Sequence, residues 1–169
     1  PVAVRIRSGS QRMACVGALR RRLARSVSAT ALVEVEPEVL SSNKCFGGIW
    51  TRYRHESAAT RCPMTFSVFT PPGARADAPA PALFFLSGLT CTDENFVQKA
   101  GAARAAAREG LALVCPDTSP RGAGVAGAAE RYDCGTAAGS CVDGPAAPWR
   151  DAGYRMESYV GELRGALRA

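Results

Sequence analysis

The stretch Ala82-Leu83-Phe84-Phe85-Leu86-Ser87-Gly88-Leu89-Thr90-Cys91-Thr92-Asp93-Glu94 decides the fold. Its first five residues form a continuous apolar run, the pattern of a central strand covered on both faces. Ser87 to Cys91 leaves that strand as a tight loop. Thr92 is a suitable N-cap, and Asp93 and Glu94 follow in the first turn, where carboxylates complement the helix dipole. The alanine-rich stretch beyond them is predicted helical to Glu109, with Gly110 as terminator. Leu111-Ala112-Leu113-Val114-Cys115 then reads as a second buried strand. Strand, helix and strand at this spacing make a βαβ unit with parallel strands.

Upstream, Met64, Phe66 and Val68 alternate with Thr65, Ser67 and Phe69, which predicts a strand with one strongly buried face. Pro71-Pro72-Gly73 breaks it, and 73–81 is a loop. Downstream, residues 116–148 are rich in Gly, Ala, Pro and Ser. A loop that long inside a compact domain is functional or disordered. Tyr154, Tyr159, Val160, Leu163 and Leu167 recur at helical spacing, so an amphipathic helix is predicted from Asp151 to Arg168.

The chain has 169 residues, 47% of them hydrophobic and 21% charged, enough for one domain with a real core. No apolar run is long enough for a membrane-spanning helix, and no membrane association is expected. The net charge of +6 raises nucleic acid as a partner, so its location matters. Residues 1–33 contain seven arginines and no acidic residue. Without them, 14 basic residues face 15 acidic ones, a net of −1 for 34–169. A nucleic-acid-binding body is therefore not expected. Residues 1–40 read as a basic leader or disordered extension, and 41–169 as the domain itself. From Met13 to about Val33 the stretch has the marks of an organellar transit peptide. Seven cysteines without a CxxC pair, and a single histidine, suit neither a zinc site nor a secreted disulfide framework. No metal is expected, and reduced thiols point to a cytosolic type of compartment.

Several stretches, in order, resemble one family. They are Ser41-Ser42-Asn43-Lys44-Cys45-Phe46-Gly47-Gly48, His55-Glu56-Ser57, Cys62-Pro63-Met64-Thr65-Phe66 and Pro71-Pro72. Leu86-Ser87-Gly88-Leu89-Thr90-Cys91-Thr92 with Asn95-Phe96, and Pro116-Asp117-Thr118-Ser119-Pro120-Arg121-Gly122, are the most specific. Pro148-Trp149, Tyr154-Arg155-Met156 and Ser158-Tyr159-Val160 follow. Together they resemble the N-terminal part of the S-formylglutathione hydrolases, the esterase D family of serine hydrolases. The resemblance runs from Ser41 to about Leu163.

The resemblance implies an α/β-hydrolase fold and hydrolysis of the thioester S-formylglutathione to glutathione and formate. It implies a Ser-His-Asp mechanism with no cofactor, and a cytoplasmic location unless residues 13–33 act as a transit peptide. A homodimer of the full-length protein is left open. In this fold the loop after the third strand supplies an oxyanion-hole N–H. The family pattern assigns that donor to Leu89, with Gly88 beside it and Thr90, Cys91 and Asn95 as pocket candidates. One such donor is worth about 3–4 kcal/mol of barrier.

The triad itself is expected to lie beyond the chain. No G-x-S-x-G occurs, and the lone His55 precedes both candidate strands, whereas the order in this fold is Ser, Asp or Glu, then His. The chain is thus expected to be truncated before the nucleophile elbow and inactive alone, with an unpaired sheet edge and an uncovered apolar face. A non-catalytic binding module and a carboxylesterase of the same fold are the alternatives. Asp117 and Arg121 are read as a pair holding their own turn, with facing substrate at the strand's C-terminal end as the alternative. Trp149, Tyr154 and Tyr159 are read as core. Residues 132–144 depart from the family: Cys134, Ser140 and Cys141 stand where a G-T-G-A-G-F-Y-V-D-type stretch carries aromatics.

Overall fold

A computed structural model describes residues 37–75, 77–121, 124, 128–130 and 132–167. Most of the expected leader, 1–36, lies outside the described residues. Strands β1 (Glu38–Cys45) and β2 (Gly48–Ser57) form a hairpin. Its two turn residues, Phe46 and Gly47, both hold positive φ, the backbone that matches strand twist in a two-residue turn. β3 (Cys62–Thr70) pairs antiparallel with β2 from Ile49↔Thr70 to Ser57↔Cys62. β4 (Ala82–Phe84) runs parallel to β5 (Ala112–Pro116), and β5 runs antiparallel to β3. The sheet order is β1-β2-β3-β5-β4.

Helices cover both faces. On one face, Tyr53, Met64, Phe66, Val68 and Val114 pack against Met156, Tyr159 and Leu163 of α3 (Met156–Ala166). On the other, Trp50, Phe69, Leu113 and Cys115 meet α1 (Asp93–Lys99) and α2 (Ala103–Glu109) through Phe96, Val97, Ala103 and Ala106. The βαβ unit, the Thr92 cap and the left-handed Gly110 terminator form as the sequence predicts.

Four expectations are corrected. β3 is buried on both faces, because α1 covers the Ser67 and Phe69 side that the polar residues had suggested was open. The helix expected over 92–109 divides at Ala100-Gly101, where Gly101 turns to positive φ. The last helix begins at Met156, since residues 148–153 form turns closed by Ala152 N–H to Pro148 and Tyr154 N–H to Trp149. The run Ala82–Leu86 is not a central strand covered on both faces. Among the described residues β4 pairs only with β5, and Leu83 (51%) and Leu86 (43%) stay exposed.

Candidate functional site

The loop after β4 is built by short-range bonds and then clamped from outside. Phe85 N–H still donates to Val114, 2.9 Å away, and Cys91 N–H closes a turn on the Gly88 carbonyl at 3.2 Å. Between them Thr90 takes φ 62°, which a non-glycine residue adopts only when its surroundings insist. Those surroundings are three. Thr90 N–H donates to the Ala137 carbonyl at 2.8 Å. The Cys91 carbonyl accepts from the Thr118 hydroxyl and from Arg121 Nη2. Gly139 lies so close that a Cβ there would stand 2.6 Å from the Gly88 carbonyl carbon and 2.9 Å from the Leu89 nitrogen. Among the described residues no hydrogen bond takes up the Leu89 N–H, and Leu89 is exposed.

The clamp has its own support. Arg121 grips Asp117 with two N–H groups at 2.7 and 2.8 Å, the pairing read from the sequence. That hydrogen bond raises the Arg121 guanidinium above its ordinary value. Asp117 also accepts from Thr118 N–H at 2.6 Å. The Ser119 hydroxyl accepts from Ala137 N–H at 2.7 Å, tying the 118–121 turn to the 135–139 loop.

Of the pocket candidates, Thr90 and Cys91 sit in this loop, while the Asn95 side chain is committed elsewhere. Its Oδ1 accepts from Thr92 N–H at 2.8 Å and, with Thr92 Oγ1 accepting from Glu94 N–H, completes a capping box. Beside the cap, Asp93 is fully buried and receives Arg52 Nε (2.8 Å) and Nη2 (3.0 Å), Thr65 Oγ1 (3.1 Å) and Ser67 Oγ (3.0 Å). The Asp93 bond raises the Arg52 guanidinium in turn. This anchor fixes α1, and hence the loop's exit, against β2 and β3. Sequence reasoning saw only a helix-dipole carboxylate there. Gly135 and Gly139 in an otherwise featureless segment were the available signal for the backing loop.

The single histidine, His55, faces α3. Its Nε2 lies 3.3 Å from the Tyr159 hydroxyl, and its ring packs on Tyr159 and Phe66 on the α3 face. Burial lowers its pKa below the ordinary 6.5. A cleft of about 250 Å³ opens near the clamp and is lined by Arg52, Arg54, Thr65, Asp117, Ser119 and Arg121 among others. Among the described residues the loop thus holds a backbone N–H with no hydrogen-bond partner, with the Arg121–Asp117 pair beside it. Among the described residues no helix is long and apolar enough to cross a membrane.

The Esterase family profile matches residues 57–162. The S-formylglutathione hydrolase of Rattus norvegicus is 46% identical over 128 residues, covering 76% of this chain and 45% of that protein. That of Arabidopsis thaliana is 49% identical over 121 residues, covering 72% of this chain and 42% of that one. A solved S-formylglutathione hydrolase from Agrobacterium tumefaciens superposes with a TM-score of 0.71 at 41% identity, over 76% of this chain and 46% of that structure. The chain thus spans less than half the length of these relatives. Matched in sequence over most of its described residues and in its sheet by a solved relative, the chain belongs to the Esterase family and has the α/β-hydrolase fold.

Proposed function

We propose that this chain contributes the N-terminal half of an S-formylglutathione hydrolase, with the Leu89 N–H as one oxyanion-hole donor and Gly88 giving substrate access to it. The observation that carries this reading is the Leu89 N–H, without a hydrogen-bond partner among the described residues, on a loop held by Ala137, Gly139, Thr118 and Arg121. When a nucleophile attacks a thioester, the carbonyl oxygen gains negative charge. A peptide N–H already aimed at that position needs no reorganisation as the charge develops. Of the guanidinium groups lining the nearby cleft, Arg52 and Arg121 are committed to Asp93 and Asp117, which leaves Arg54 to meet a carboxylate of a glutathionyl leaving group. Nucleophile, base and orienting carboxylate are to come from residues this sequence does not contain, since it has no G-x-S-x-G. The cytoplasm is the proposed location, with an organelle as the alternative if residues 13–33 act as a transit peptide; the leader or extension ends before β1 at Glu38.

The test joins this chain to the C-terminal half of the Arabidopsis relative and assays hydrolysis of S-formylglutathione. Thioester hydrolysis by the chimera, with none by this chain alone, is the expected result. A folded chimera that hydrolyses carboxylic esters but not S-formylglutathione overturns the substrate assignment. Activity in this chain alone overturns the division of the site.

A further inference from the structure

Cys134 and Cys141 line the same cavity, of about 190 Å³, with Ser119, Gly139, Trp149 and Tyr154 in the wall. Both are free thiols and both are partly exposed. The chain between them doubles back. Ala138 N–H donates to the Gly135 carbonyl, and Gly135, Ala137, Gly139 and Cys141 all hold positive φ. Thr136 N–H to Ala128 and Ala137 N–H to the Ser119 hydroxyl pin this reversal to the body. The two thiols therefore face one cavity, whereas Cys115 is sealed in the sheet, where burial pushes it up to about 12.

We propose that Cys134 and Cys141 form a redox-active dithiol that a small-molecule disulfide converts into an intramolecular disulfide. The conversion is two thiol–disulfide exchanges. One protein thiolate attacks a sulfur of the reagent, expels the first small thiol and leaves a mixed disulfide. The second protein thiolate attacks the protein sulfur of that mixed disulfide, expels the second small thiol and closes the ring. The protein gives up two hydrogens and two electrons, and the reagent becomes two thiols. Burial pushes the Cys141 thiol up and leaves it little thiolate, so its attack depends on being held close to its target. Closure braces the loop whose Ala137 and Gly139 back the Gly88–Leu89 peptide.

The test holds the whole 169-residue chain in mixtures of reduced and oxidised glutathione. Alkylation, digestion and mass spectrometry give the fraction bridged between 134 and 141, in native buffer and in urea. From these fractions comes the effective concentration of one thiol at the other. A flexible loop sets the urea value, on the order of millimolar, and the native value is expected to exceed it by about tenfold or more. Cys134→Ser and Cys141→Ser each stop at a mixed disulfide on the remaining thiol. Equal effective concentrations in the two solvents, or separate mixed disulfides at both positions of the unaltered chain, overturn the proposal.

Discussion

Replacing Gly139 with alanine tests the contact that backs the loop after β4. The added Cβ would lie 2.6 Å from the Gly88 carbonyl carbon, 2.7 Å from its oxygen and 2.9 Å from the Leu89 nitrogen. Comfortable carbon contacts lie at about 3.5–4.0 Å, so one loop has to retreat by roughly 1 Å. Two costs combine. Holding a Cβ-bearing residue at φ +68° costs about 1–2 kcal/mol. Overpacking against backbone adds about 1–3 kcal/mol, for a total of about 2–5 kcal/mol. Gly73 separates the two, because it sits at φ +85° and a Cβ there would meet nothing within 4 Å. Gly73→Ala carries the backbone cost alone. Urea unfolding followed by the fluorescence of Trp50 and Trp149 measures both variants. Gly139→Ala should be the less stable by about 1–3 kcal/mol, and the Thr90 amide, bonded to Ala137, should exchange faster in it alone. Equal destabilisation of the two variants with unchanged Thr90 exchange would refute the packing.

Three further outcomes are expected. Arg52→Ala strips the fully buried Asp93 of two charge-assisted bonds and should cost about 3–5 kcal/mol in the same urea assay, with Arg52→Lys recovering only part; a loss under about 1 kcal/mol would remove Asp93 as the anchor of α1. Because burial lowers His55 below its ordinary 6.5, the unfolded chain takes up the proton first as pH falls. Stability should therefore be fully present above 6.5 and decline below it until the folded form also protonates, and His55→Phe should flatten that slope; an unchanged pH profile would contradict it. Asp143 supplies the first turn of α3 with the cap that Arg155 lacks, bonding Ser158 N–H at 2.9 Å and its hydroxyl. Asp143→Ala should cost about 0.5–2 kcal/mol, and no loss of α3 protection in hydrogen exchange would argue against the cap.

Much of the βαβ unit was legible because its signals are local. Five apolar residues in β5, a threonine before two carboxylates and a glycine after an alanine-rich stretch each act within a few residues of themselves. The β1–β2 hairpin was not legible as strands. β1 is exposed along nearly its whole length and so carries no buried alternation, and β2 points Arg52 inward, where a charge looks like solvent until its partner is known. The candidate loop was found through an ordered set of motifs that resemble one family. Chemistry at the loop gave no signal of its own, since the donor proposed for it is a backbone N–H that any residue but proline possesses.

The sequence by itself determined that a strand, a helical stretch opened by Thr92 and ended by Gly110, and a second strand follow one another between Ala82 and Cys115, that it contains no G-x-S-x-G, and which family it resembles. The tertiary structure decided that Asp93 is a buried ion-pair anchor, that Gly139 rests on Gly88, that His55 stacks on Tyr159, and that β4 stands at a sheet edge. The physical reason is range. Capping, turn geometry and hydrophobic run length are settled by neighbours along the chain. A carboxylate's partner, a glycine's missing Cβ and a strand's exposure depend on what strand register and helix packing bring alongside, from 41 residues away for Arg52 and Asp93 and 104 for His55 and Tyr159.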